Sequence, residues 1–195
     1  SSAASDVYKR QAEEDPNAVV SFHYYLPMLL SHYKMLAWVG YQGAVQYPGV
    51  VIPTQSDADK YPQYASFHKT TYNADRIMGE MSNAASDGRN AGLAVHCGEF
   101  GCSKNVAEAM RLAWFTDMVA AMEANNIPWT LWECLDGGFG FVDMEYGIYR
   151  INCPLLKVLT GKELTDAEAK VLLQKYGFKT ESVSYTHLRA HETSL

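Results

Sequence analysis

The stretch that most constrains this chain is Ala94-Val95-His96-Cys97, a short apolar run that leads into Gly98-Glu99-Phe100-Gly101 and then into an amphipathic helical pattern. A buried parallel strand in an alternating α/β protein has this form: a continuous apolar run rather than an alternating one. A lone carboxylate at the C-terminal end of such a strand stands where α/β enzymes place catalytic groups. The glycines on either side let the backbone turn sharply and let a ligand approach closely. An ordinary strand-to-helix turn also carries carboxylates, so at this point Glu99 is a catalytic candidate and a plain turn residue alike.

The neighbouring segments repeat the strand-then-helix theme. Asp15-Pro16-Asn17 is a turn signal, and Ala18 to Tyr25 reads as a strand stopped by Pro27. His23 and Tyr25 are two apart and share one side of that strand, either as satisfied core polar groups or as donors that hold a nearby carboxylate. From Leu26 to about Tyr61 little regular period is visible, yet the segment is too aromatic for disorder. Its Trp38 suits either plain packing or stacking against a sugar face. Asp57 and Asp59 lack the spacing of a calcium loop.

A helical period runs from about Tyr64 to Ala85, with Asp87-Gly88 and Gly92 expected to close it. Asn105 to Asn125 predicts a long helix with Val106, Met110, Ala113, Trp114, Met118 and Met122 on one side. Pro128 to Glu133 predicts a third strand, and the glycines of Gly137-Gly138-Phe139-Gly140 a tight loop at its mouth. There Trp132 is a candidate floor for a binding site, and Glu133 either belongs to that site or faces solvent. Thr165 and Glu168 have capping-box spacing for a helix that runs on to Gly177. Strands alternating with helices predict parallel pairing with helical crossovers.

Composition narrows the partners. The 195 residues carry a formal charge of -6 with 48% hydrophobic residues, and no basic patch is apparent, which argues against nucleic acid. No apolar run is long enough to span a bilayer, so no membrane association is expected. The four cysteines lack paired C-x-x-C spacing and suggest no metal site. Cys97 and Cys102 bracket Glu99 and are expected to be buried free thiols rather than a disulfide.

The two ends read differently from the rest. Asp6 to Gln11 can be encoded by GAT GTG TAT AAG AGA CAG, whose reverse complement, read two bases in, encodes Val183 to His187 and opens a leucine codon, as at Leu188. Both ends resemble translated sequencing-library adapters of the transposase type. The expected organisation is therefore residues 1–11 and 183–195 as adapter-derived and residues 12–182 as the insert.

With these residues in place, the insert resembles the C-terminal part of a glycoside hydrolase family 5 enzyme, most like the bacterial cellulases. Three motifs carry the resemblance, in the family's order: Ser21-Phe22-His23-Tyr24-Tyr25-Leu26-Pro27, then Gly98-Glu99-Phe100-Gly101, then Trp129-Thr130-Leu131-Trp132 with Gly138-Phe139-Gly140. The resemblance implies a (β/α)8 barrel of which these are strands six, seven and eight, incomplete as given. It implies a retaining endo-β-1,4-glucanase with Glu99 as nucleophile, His23 and Tyr25 as its active-site histidine and tyrosine, and Trp132 under the sugar beside the scissile bond. No metal or organic cofactor is implied; the partner is a β-linked polysaccharide or oligosaccharide, and the parent is expected to be monomeric and, since polymeric cellulose cannot enter a cell, secreted.

Retaining hydrolysis also needs a second carboxyl about 5–5.5 Å from the nucleophile. In the family that residue follows an asparagine in Asn-Glu-Pro, and no Asn-Glu-Pro occurs in this sequence. Glu133 is a poor substitute, because next to Trp132 on a strand its side chain would point the other way. The chain is therefore expected to be catalytically inactive alone, and three of eight barrel strands leave open edges. Competing readings are a β-mannanase or another retaining glycanase of the same family, a non-catalytic carbohydrate-binding module, and an α/β fragment with no activity.

Overall fold

The computed structural model describes residues 15, 17–35, 40–135 and 137–181. Its centre is a three-stranded parallel sheet formed by β1 (Val19–Tyr24), β4 (Ala94–Phe100) and β5 (Trp129–Leu131), with β4 in the middle. Helix α3 (Ala74–Ala91) carries the chain from β1 to β4, and α4 (Glu108–Ala124) carries it from β4 to β5. Parallel neighbours require such crossovers, because no tight turn can return the chain to the same end of the sheet. The expected α/β alternation is present, and β1 and β5 stand within a residue or two of their expected bounds.

Helix α4 turns Trp114, Phe115, Met118, Val119, Ala121 and Met122 inward, and all but Val119 are fully buried. Phe100 of β4 meets the rings of Trp114, Phe115 and Trp129 at centroid distances of 6.3, 5.8 and 5.3 Å. Tyr24 of β1 stacks on Trp114 as well, and the Trp114 indole N–H donates to the Leu26 carbonyl at 3.1 Å. Trp114 is thus the joint between both strands and α4. Truncation of such a ring to alanine costs about 3–5 kcal/mol.

Two expectations need correction. The helical pattern from Tyr64 to Ala85 is not one helix: a 3₁₀ segment (Pro62–Lys69) comes first, then a short strand β3 (Thr71–Tyr72), then α3. Thr71 and Tyr72, β-branched and aromatic, pair antiparallel with β2 (Gly49–Val50), and the Asn73 side chain caps α3 by accepting from the Arg76 N–H. Nor does Asp87-Gly88 end the helix, which runs to Ala91 and stops at Gly92 in the left-handed conformation, φ 69°.

The segment from Leu26 to Tyr61 also has more order than its lack of period suggests. It contains α1 (Met28–Ser31), β2 and α2 (Gln55–Lys60), the last capped by Thr54. Past the glycine loop lies an antiparallel hairpin that no sequence signal announced, β6 (Val142–Glu145) with β7 (Ile148–Ile151), turned by Tyr146 and Gly147, both at positive φ. Helices α5 (Cys153–Thr160) and α6 (Asp166–Lys175) close the described chain, with the Thr165–Glu168 capping box in place and Gly177 at φ 80°.

Val19 and Val20 of β1 are 55% and 41% exposed, and among the described residues β1 pairs with β4 alone. No described helix is long and apolar enough to cross a membrane.

Gly88 shows how closely α3 sits on the sheet: a Cβ there would fall 2.0 Å from Val95 Cγ2 and 3.1 Å from the Leu93 carbonyl. Gly79, in the same helix, has open space around it. Gly79→Ala should raise stability by up to about 1 kcal/mol through helix propensity. Gly88→Ala should lower it by about 1–3 kcal/mol through overpacking, and the urea midpoints of the two variants check the contrast.

Candidate active site

The site is built where β4 and β1 end. In β1 the register runs Phe22 opposite Cys97, then His23 opposite Glu99, so β4 carries one extra residue at Gly98. The β4–β5 register shows the same surplus, with Cys97 opposite Trp129 and Phe100 opposite Leu131. Ordinary alternation would put Cys97 and Glu99 on one face. The bulge breaks that parity: Cys97 and Phe100 both enter the core at 0% exposure, while the Glu99 side chain stays 30% exposed. The bulge leaves little room at residue 98: a Cβ there would lie 2.6 Å from Ser21 Oγ, so that hydroxyl would have to turn away, and 3.4 Å from the His23 ring.

Three of the expected site residues converge. The Tyr25 hydroxyl donates to Glu99 Oε2 at 2.9 Å, and His23 Nδ1 stands 3.4 Å from the same oxygen. Burial, then the hydrogen bond and charge of Glu99, push the Tyr25 phenol well above its ordinary range, so it stays a protonated donor. Trp132 lies just beyond. Its backbone N–H donates to the Phe100 carbonyl at 2.9 Å, and its side chain is 46% exposed, as a stacking platform requires. Gly101 permits this approach, since a Cβ there would fall 2.2 Å from the Trp132 carbonyl. Trp38 lies outside the described residues.

Glu133 lies beyond the end of β5, so strand alternation does not govern it. Among the described residues its Oε1 is shielded from solvent without a hydrogen-bond partner, tucked where a Cβ on Gly137 would be. Its charge also contributes to the raised Tyr25 phenol.

His32 is a site neighbour that the sequence did not reveal. It falls in the segment without period, seven residues past Tyr25, and only the fold brings it back. Its ring packs on Tyr25 at 4.9 Å and on Phe139 at 5.3 Å, with Nδ1 2.9 Å from Ser31 Oγ. Tyr25 and Phe139 meet edge-on at 5.9 Å, which completes an aromatic triad behind the phenol.

All four cysteines are free, and Cys97 and Cys102 are buried, as the sequence suggested. Burial pushes their thiols up to about 11 and about 12, so neither is a reactive thiolate. Among the described residues no cluster of three or more His, Cys, Asp or Glu is placed to hold a metal ion.

The site is thus a carboxylate at the mouth of a parallel strand, held by a phenol and flanked by an exposed indole. The model of the family described as Cellulase (glycosyl hydrolase family 5) matches residues 2–138. The chain belongs to glycosyl hydrolase family 5. Among curated relatives, it is 23% identical to Endoglucanase C of Acetivibrio thermocellus over 152 residues, which cover 74% of this chain and 42% of that protein. The chain thus spans less than half the length of this relative.

Two solved structures share its fold. One is the cellulose synthase subunit Z of Clostridioides difficile, at TM-score 0.55 and 23% identity, covering 75% of this chain and 42% of that one. The other is Thermotoga maritima Cel5A in complex with mannotriose, at TM-score 0.51 and 20% identity, covering 75% and 40%. The family is one of (β/α)8 barrels, and the chain is a partial α/β piece of that architecture.

Burial of His32 lowers its pKa below the ordinary 6.5. The unfolded chain then binds this proton more readily than the folded one, so the stability that neutral His32 preserves is present above that value and lost as pH falls through it. Between pH of about 7.5 and about 5.5 the urea midpoint should fall, and His32→Asn should flatten the slope. Equal slopes in both proteins would mean that His32 does not carry the effect.

Proposed function

We propose that the protein to which this chain belongs is a retaining glycoside hydrolase of β-1,4-glucan chains, with Glu99 as nucleophile. The observation that carries this reading is the pair of groups on Glu99 Oε2. Tyr25 donates at 2.9 Å and His23 stands at 3.4 Å, so one carboxylate oxygen is fixed while the other is left for a substrate. In this reading Glu99 attacks the anomeric carbon as the glycosidic bond breaks, giving a glycosyl-enzyme ester. Tyr25 holds the carboxylate oriented until the attack. Trp132 is the floor under the sugar, and Trp38 is a further candidate platform.

Strands β1, β4 and β5 correspond in this reading to the sixth, seventh and eighth of the barrel. The acid/base carboxyl belongs to the fourth, so the 195-residue chain is proposed to be inactive alone. Residues 1–11 and 183–195 are proposed to be adapter-derived. The inverted repeat of their possible coding sequences supports this, although the family match itself begins at residue 2. Action outside the cell, on a substrate too large to enter it, follows from the same reading.

A second substrate class has a specific observation behind it. Thermotoga maritima Cel5A has been solved with mannotriose and with cellobiose, so one scaffold of this fold accepts both sugars. A β-mannanase is therefore the alternative within the family. The carbohydrate-binding module is disfavoured, because such modules are mostly antiparallel sandwiches and this sheet is parallel with helical crossovers.

The test begins with the flanking DNA, recovered with the adapter-like ends trimmed. In the longer protein, Glu99→Ala should lower kcat on cello-oligosaccharides at least about a thousandfold. Added azide should restore turnover as a glycosyl azide of inverted configuration. Near-normal hydrolysis by Glu99→Ala would refute the nucleophile, and sugar release from soluble cellulose by the 195-residue chain would refute its inactivity.

A further inference from the structure

Arg111 points out of α4 into the core and is 4% exposed, yet among the described residues none of its hydrogen bonds goes to a carboxylate. Its guanidinium donates to three backbone carbonyls: Nε to Cys102 at 2.9 Å, and Nη2 to Gly140 at 2.8 Å and to Phe139. Cys102 lies in the loop that follows Glu99, and Phe139 and Gly140 lie in the glycine loop that follows Trp132. One buried cation therefore ties together the two loops that leave the mouth of the sheet.

Lys104 runs along the same seam nearer solvent. Its backbone N–H donates to the Gly138 carbonyl at 2.8 Å, and its ammonium reaches the Val142 carbonyl at 2.8 Å and Asp143 at 2.9 Å. The outer half of the seam is thus a half-exposed ion pair, and the inner half is Arg111. Burying a guanidinium among neutral acceptors is costly, because desolvation opposes its charge, and Asp143 and Glu108 offset that only from a distance. A planar fork that meets acceptors on two loops at once is the geometry arginine has and lysine lacks.

What the fork holds in place is Phe139. Its carbonyl is fixed by Arg111, and its ring abuts Tyr25 and His32, while Tyr25 in turn donates to Glu99. We propose that Arg111 is a positioning residue, which clamps the glycine loop so that Phe139 holds the Tyr25 hydroxyl on Glu99. The residue acts through Phe139 and Tyr25. It rests on the reading of Glu99 as nucleophile only for its consequence in catalysis, since the arrangement itself can be followed without turnover.

The experiment uses the full 195-residue chain with carbon-13 at the tyrosine ζ position, the Tyr25 signal assigned by its absence in Tyr25→Phe. Each variant is titrated by NMR and checked for secondary structure by circular dichroism. The groups that act on the phenol besides burial are Glu99, Cys97 and Glu133, all left intact. In the parent chain Tyr25 should stay protonated well past the ordinary tyrosine range. In Arg111→Met it should ionise at an at least tenfold lower hydroxide concentration with the helices retained, and Arg111→Lys should fall between.

A folded Arg111→Met with Tyr25 unchanged would overturn the proposal. Where Arg111→Met fails to fold, Phe139→Leu removes the intermediary and leaves the guanidinium in place. It should shift Tyr25 in the same direction, and an unchanged phenol there would also overturn the proposal. The outcome stands apart from the nucleophile test, because a failed azide rescue would remove the role of Glu99 and leave the Tyr25 titration as it is.

Discussion

The extra residue in β4 is the constraint on which the rest of the site depends. A strand that alternates strictly must choose between burying the residues around position 99 and presenting a carboxylate. Inserting Gly98 removes the choice: Cys97 and Phe100 anchor the strand in the core on both sides of the bulge, and Glu99 emerges between them. Phe100 is held by three aromatic rings of α4 and β5, so the carboxylate one residue earlier is carried by one of the most tightly packed points of the molecule. Rigid support of this kind is what the nucleophilic role proposed for Glu99 needs, since small displacements of reacting groups are costly in rate.

The loops beyond the strands are held by other means. They have few ladder hydrogen bonds, and close backbone approach takes over, at Gly101 against the Trp132 carbonyl and at Gly140 against the Cys134 carbonyl. Among the described residues, side chains add contacts to backbone carbonyls from Arg111, Ser103, Asn105 and Lys104, and a half-exposed ion pair from Lys104. The mouth is therefore a sheet-borne carboxylate surrounded by loops that are fastened carbonyl by carbonyl.

Legibility in the sequence followed the range of the forces involved. The strand around Glu99, the capping box at Thr165 and the convergence of His23 and Tyr25 on one side rest on local periods, and these could be read directly. The break between Lys69 and Ala74 could not, because Thr71 and Tyr72 become a strand only by pairing with Gly49 and Val50, more than twenty residues away. Gly88 looked like a helix stop and proved to be a contact surface for Val95. His32 and Arg111 gave no signal at all. Each is a polar residue in an otherwise unremarkable local pattern, and its use depends on Phe139, reached only through the tertiary fold.

The two donors that face Glu99 differ in what they can do. His23 is 55% exposed in its side chain and stands at 3.4 Å, so solvent competes for its contact with the carboxylate. Tyr25 is closer and stays protonated, because burial and the neighbouring carboxylate both oppose its ionisation. Tyr25 is therefore a neutral donor to Glu99 throughout the ordinary pH range. A full positive charge at the same distance would stabilise the free carboxylate against attack more strongly than a phenol does. A neutral donor orients the oxygen and leaves it nucleophilic, and the aromatic triad of Tyr25, His32 and Phe139 keeps that donor in line.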